Sequence, residues 1–328
     1  MNSLMKISAV AFLFVLILTP PSLAQSLSEG GKPAPSLTSV KLGIPVFGVN
    51  YMPFVVARER GFYQQEGLNV DFIIMSASAA MAATVSGAIE FNGYAGTTIG
   101  AAMQGAPIKL VLALARKPKY WMFSLPEIHS IAELVGRTIA VGTVGGGTHV
   151  YTVFILDKLG LAGKVHVLPM TGFSARAVLN ALIARHVHAG YSSDSTYFEM
   201  KDRGFREVLN YADYIDDPSA GVGTSDRMIT TNPDIVQAFV NGSYRGMRFY
   251  REHRAESISL MMRYMKLDEK AATRTYDLVF KSFGGNGAID YEPVKKVLQL
   301  RKKVLNIAAP VPPADVVIDN RFALKIPR

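Results

Sequence analysis

The 328-residue chain contains no cysteine. That absence excludes structural disulfides, thiolate metal sites and the cysteine through which a bacterial lipoprotein is anchored. A Gly-x-Ser-x-Gly elbow, a Walker loop and a paired catalytic motif are missing too, which removes common sequence marks of hydrolases and nucleotide enzymes. Histidine is sparse, at six residues; His186 and His188 share a strand face, but no third ligand accompanies them in sequence, so no metal is expected. No cofactor is expected either. Tryptophan occurs once, as Trp121, and is read as packing near a hinge. Beyond Leu18 no apolar run approaches the roughly 20 residues needed to cross a bilayer.

The residues that are present begin with an export pattern. Lys6 gives a basic start, Ile7 to Leu18 an apolar core, Pro20-Pro21 breakers and Ser22-Leu23-Ala24 a small-residue cleavage site. Residues 1–24 are therefore expected to be a signal peptide, and the mature chain to be periplasmic. The net charge of +9 becomes +8 when Lys6 is removed. Lys and Arg are scattered, and their densest set, Arg245, Arg248, Arg251 and Arg254, is expected to be a solvated helix face, with no nucleic-acid partner. With 49% hydrophobic and 19% charged residues the chain can bury a large core, and its length suffices for two domains.

Short β-rich runs alternate with small-residue helical runs, the mark of an α/β fold. Strands are predicted at 40–46, 70–74, 89–92, 108–113, 138–141, 165–168 and 187–191, with helices at 53–60, 79–85, 97–103, 147–159 and 175–184. Pro53 suits a first helical position and Gly61 a left-handed C-cap. Segments 78–94 and 175–191 have the same length, and each ends a helix-strand pattern on Gly-Tyr. Their strands are expected to be equivalent in two lobes, bringing Tyr94 and Tyr191 to one cleft; the alternative is that each ring simply packs at a strand end. Helices follow at 233–250, 255–265, 268–282 and 292–305, then a Pro-rich stretch and an extended tail.

Two small-residue loops have the makings of anion sites. Gly145-Gly146-Gly147-Thr148-His149 follows a predicted strand and opens a helix, and Ser76-Ala77-Ser78 does the same in the first half. Val150 stands where a dinucleotide fingerprint needs a third small residue, so that reading is disfavoured. Asn50 and Tyr51 lie between the first strand and helix, where they either meet a ligand or cap the helix. Thr97 opens the helix after Tyr94, and Asp194 either accepts from a ligand or caps the next helix.

Four stretches carry a family resemblance: Ala57 to Val70, which contains Gly61-Phe62-Tyr63 and Glu66-Gly67-Leu68, then Ser86 to Phe91, Ala132 to Val141, and Val317 to Phe322. In them the chain resembles the periplasmic substrate-binding proteins of ABC importers in the nitrate, sulfonate, taurine and thiamine-pyrimidine-precursor family. The resemblance implies a type II periplasmic binding protein fold with two α/β lobes, a ligand cleft between them and two hinge crossings, placed near 119–125 and 221–228. Lobe 1 is then 38–122 with 225–328, and lobe 2 is 123–224. It also implies a small polar or anionic organic solute, sulfonate-, carboxylate- or pyrimidine-like, delivered by a monomer to an ABC permease, with no catalysis. The alternatives are an enzyme of the thiamine-pyrimidine synthase type, whose Cys-rich segment this chain lacks, and a ligand-sensing partner of a membrane receptor. His188 to Asp194 departs from the Asp-Ala-Trp of sulfonate binders, which argues against a direct transfer of sulfonate specificity.

Overall fold

Val40, Leu42 and Ile44 alternate with their neighbours along the chain, and burial of that set makes Thr38–Ile44 the first strand, β1. It begins two residues earlier than expected and ends before Pro45, which leaves Val46 exposed in a bend. The computed structural model describes residues 36–170 and 174–327. The expected signal peptide lies outside the described residues.

Two five-stranded sheets follow from the strands β2 (Leu68–Ile74), β3 (Phe91–Asn92), β4 (Ile108–Ala115), β5 (Tyr120–Ser124), β6 (Thr138–Val141), β7 (His166–Pro169), β8 (Ala189–Ser193), β9 (Arg206–Asn210) and β10 (Ala220–Ser225). The first sheet has the order β2-β1-β3-β10-β4 and the second β7-β6-β8-β5-β9. In each, the first three strands pair parallel, and a strand arriving from the other lobe (β10 or β5) pairs antiparallel with both the third and the fifth. The fold is the expected two-lobed α/β arrangement.

The crossings differ from expectation. The chain leaves the first sheet at residues 116–119 and returns at 211–219, so Tyr120–Ser124 and Ala220–Ser225 are strands inside sheets. Tyr120, Trp121 and Phe123 give this stretch the aromatic content of a strand, and it pairs on both edges. The true crossings carry Pro118 and Pro218, which cannot extend a ladder at those positions. They run side by side, the amides of Asp217 and Ser219 donating to the carbonyls of Arg116 and Ala115 at 2.8 and 2.9 Å.

Helices cover the sheets: α1 (Met52–Glu59), α2 (Ala77–Ser86), α3 (Ala95–Met103), α4 (Gly147–Lys158), α5 (Ala175–Ile183), α6 (Tyr197–Asp202), α7 (Pro233–Glu252), α8 (Arg254–Met265), α9 (Glu269–Val279) and α10 (Tyr291–Leu305). Pro53 lies in the first turn of α1, and Gly61 takes φ +69° just beyond its end, as the sequence indicates. The most extensive helix packing is α7 against α1. A methyl at Gly246 would overlap the Pro53 carbonyl oxygen, so only glycine permits that approach. Phe239 of α7 is fully buried, stacked on Phe91 (3.9 Å between centroids) and on Tyr63 (5.1 Å). The expected extended tail instead contains helical turns at Ala314–Val317 and Arg321–Leu324, the first packed on α3 and β4.

The register corrects the internal alignment. Ile44 and Val141 end equivalent strands, their carbonyls accepting from Met75 and Met170. Leu42 then pairs with Phe91, and Ile139 with Ala189. Gly93 is thus the counterpart of Tyr191, and Tyr94 of Ser192. A one-residue offset turns a strand side chain to the opposite face, so the two tyrosines are not equivalent.

Candidate functional site

In a sheet whose order reverses, the crevice lies beyond the strand ends on either side of the switch. Here the switch falls between β1 and β3 in the first lobe and between β6 and β8 in the second. The loops after these four strands carry Asn50-Tyr51, Tyr94 to Thr97, Gly145 to Gly147 and Ser193-Asp194, and all of these line one cavity of about 550 Å³ between the lobes. Both crossings form its floor, through Pro118-Lys119-Tyr120 and Asp217-Pro218-Ser219. Tyr151 of α4 and Arg301 of α10 complete the wall. A second chamber of about 860 Å³ adjoins it, sharing Asn50, Tyr51 and Asp194. Across that outer chamber Arg274 of α9 makes a bidentate pair with Asp202 of α6, at 2.9 and 3.0 Å, which holds the Asp202 carboxyl below its ordinary range.

Of the residues expected at the site, Asn50, Tyr51, Tyr94, Thr97, Gly146, Gly147 and Asp194 are brought together around this cavity. Ser76 and Ser78 are not among its lining: they lie after the edge strand β2, where Ser76 accepts from the Ala79 amide at 3.3 Å and caps α2. The first-lobe helix whose N-terminus meets the cavity is α3, one element later. Thr148 and His149 are turned to their own loop. Thr148 Oγ1 accepts from the Gly142 amide and His149 Nδ1 from the Gly145 amide, both at 2.9 Å, and partial burial lowers the histidine's pKa. Tyr191, 8% exposed, stands edge-on to Tyr120 at 6.1 Å and does not line the cavity itself. The family-marking residues Gly61, Tyr63 and Gly67 are likewise absent from the lining.

The groups missed from sequence carry most of the charge. Lys119 is 5% exposed; its Nζ donates to Asn50 Oδ1 at 2.8 Å and Ser219 Oγ at 3.1 Å, and sits 4.3 Å from the centre of the Phe283 ring. Burial drives its pKa down to about 7, against a smaller opposing effect of Asp194. Asp194, half-buried at the partition between the chambers, has its pKa raised by desolvation, countered by Lys119. Asp217 is 3% exposed and accepts a hydrogen bond from Tyr151; desolvation raises its pKa, opposed by Arg301 and that bond. Arg301 donates to the Gly96 carbonyl at 3.1 Å, and its Nε has no hydrogen-bond partner among the described residues. Four phenols, Tyr51, Tyr94, Tyr120 and Tyr151, ring the space, all held neutral by pKa values raised chiefly by burial. The arrangement offers aromatic faces and both charge signs within one enclosure. It suits recognition of a polar, ring-sized solute, whose typical cavity is about 300–1,000 Å³. Among the described residues no His, Asp and Glu cluster could hold a metal ion.

Comparison with known proteins agrees with this architecture. A riboflavin-binding protein, RibY of Chloroflexus aurantiacus, is 25% identical over 256 residues, covering 75% of this chain and 72% of that one. The solved structure of a putative periplasmic sulfonate-binding protein, SsuA of Methylobacillus flagellatus, superimposes with a TM-score of 0.72 at 17% identity, over 88% of this chain and 94% of the other. The desulfurization enzyme DSZB has the same fold, with a TM-score of 0.58 at 15% identity, over 88% of this chain and 97% of the other. The fold therefore serves both binding and catalysis. The family described as NMT1/THI5 like matches residues 49–257, which include both lobes' switch loops and both crossings, and the chain belongs to that family.

Proposed function

We propose that the protein is the periplasmic solute-binding component of an ABC importer, a monomer that encloses a polar, ring-bearing organic solute and presents the closed form to a membrane permease. The observation that carries this reading is the origin of the cavity wall. Residues from both lobes and both crossings surround one space, so a solute that touches them all binds the closed arrangement more tightly than the open one. The tyrosine ring and the mixed charges favour a heteroaromatic solute over a bare inorganic anion. The riboflavin-binding relative supports the size class, and the sulfonate-binding neighbour supports the transport role. Among the described residues no helix is long and apolar enough to cross a membrane, consistent with a partner supplying the channel. Turnover is disfavoured because the chain has no cysteine nucleophile and no catalytic motif.

Thermal-shift screening tests this with riboflavin, pyrimidines, aromatic carboxylates and alkanesulfonates as probes. One class is expected to stabilise the protein by about 2.7 kcal/mol at a hundredfold excess over its Kd. Chemical conversion of a probe, with no stabilised complex of any of them, would reverse the assignment to binding.

A further inference from the structure

We propose that Lys119 is the charge-selecting residue of the cleft, and that the bound solute carries an anionic group, a carboxylate, sulfonate or phosphate, which Lys119 engages. This rests on the reading of the cleft as a solute site. The ammonium sits where the first crossing meets the first sheet's opening loop, and its two hydrogen-bond acceptors, Asn50 and Ser219, line the same cavity. An ammonium has three donors, and two are used. The partners are a neutral amide and a hydroxyl, and no acid forms an ion pair with it among the described residues. Asp194 is near enough to favour the ammonium but not to outweigh its burial, and a charge removed from water without an ion-pair partner is retained in a cavity wall when something that enters completes it.

The surroundings favour that completion. The N-termini of α3 and α4, one from each lobe, reach the cavity through Ala95 to Thr97 and Gly145 to Gly147, adding positive potential. Arg301 adds a second cation. Two acids oppose an incoming anion: Asp217 on the second crossing is engaged by Tyr151, and Asp194 after β8 faces the cavity from the second lobe. The remaining titratable neighbours are the phenols of Tyr51, Tyr94 and Tyr120, which burial keeps neutral at neutral and mildly alkaline pH.

Because burial brings the Lys119 pKa to about 7, anion capture should carry a proton with it at alkaline pH. Nicotinate and nicotinamide are suitable probes, one ring with and without a charge, followed by calorimetry or saturation-transfer NMR. Nicotinate should bind at least tenfold more tightly than nicotinamide at pH 6. Its affinity should fall about 30-fold by pH 8.5, the ratio of charged fractions for a group titrating at about 7. Lys119→Met should abolish both the preference and its pH dependence, whereas Lys119→Arg, charged throughout, should keep the preference at pH 8.5. Asp194→Asn should strengthen nicotinate binding by the protonated lysine and keep a pH dependence whose midpoint moves to lower pH, because Asp194 supports the ammonium, separating the lysine from the acids. Equal binding of the two probes by the wild type at pH 6, binding of neither, or a preference that survives Lys119→Met overturns the proposal. A neutral solute emerging from the thermal screen would overturn it too, while leaving the solute-binding reading intact.

Discussion

Lys119→Met is expected to raise the stability of the ligand-free protein by about 4 kcal/mol at pH 6. In the unfolded chain this amine titrates near its ordinary value of 10.5, and in the folded protein at about 7, because burial disfavours the ammonium. The separation corresponds to about 5 kcal/mol, at about 1.4 kcal/mol for each tenfold change in proton affinity. Methionine also forfeits the hydrogen bonds to Asn50 and Ser219, worth about 1 kcal/mol together once their re-solvation is allowed for. The sign fixes a pH profile. Below about 7 both states of the wild type hold the proton and the penalty is fully present. Between about 7 and 10.5 the unfolded chain binds a proton that the folded protein lacks, so wild-type stability climbs with pH and the advantage of the variant shrinks. Urea denaturation at pH 6 and pH 9 measures this directly. A variant less stable than the wild type at pH 6 would show that the ammonium is already compensated in the empty cleft.

Phe239→Ala is expected to cost about 4 kcal/mol, read from the same denaturation curves at constant slope. The ring is fully buried and touches three elements at once: it stacks on Phe91 of β3 and Tyr63, and lies 6.3 Å from Phe54 of α1. Truncation removes a phenyl group from the centre of the first lobe, and the gap is too hemmed in by aromatic neighbours to collapse. Phe239→Leu, which refills much of the volume, should cost about 1.5 kcal/mol. Phe91 is three residues from Tyr94, so the alanine variant should also bind the solute more weakly. A loss below about 1 kcal/mol would mean that the lobe repacks freely around this position.

The sequence disclosed the elements of the fold better than their pairing. Pro53 and Gly61 bracket α1 through local backbone preferences, and Thr138–Val141 is a strand at its predicted bounds, because both depend on nearest neighbours. The Gly-Tyr repeat misled because similar dipeptides do not fix register: only the ladder shows that Tyr191 answers to Gly93. Asn50, Tyr94, Gly146 and Asp194 were legible as cavity-lining residues since each lies in the connection after a strand, the place where α/β sheets bind ligands. Ser76 follows a strand as well, but an edge strand, and edge position is a property of topology. Lys119 and Arg301 were invisible for a related reason. One sits in a short basic run and the other on a basic helix, patterns that read as solvated surface until residues far apart in sequence close over them.

The strand exchange between the sheets also orders how the protein comes together. Strands β5 to β9 all fall between residues 120 and 210, so the second sheet can complete itself from one continuous stretch. The first sheet cannot: β10, from residues 220–225, must insert between β3 and the edge strand β4 before β3 has its second neighbour and β4 its strand partner. Closing that loop over more than a hundred residues is expected to make the first lobe, begun before the second and finished after it, the later one to fold, with the edges of β3 and β4 open in the meantime. The lone tryptophan lies in β5. Its fluorescence therefore reports the lobe that forms first and is silent on the one that finishes the clamp.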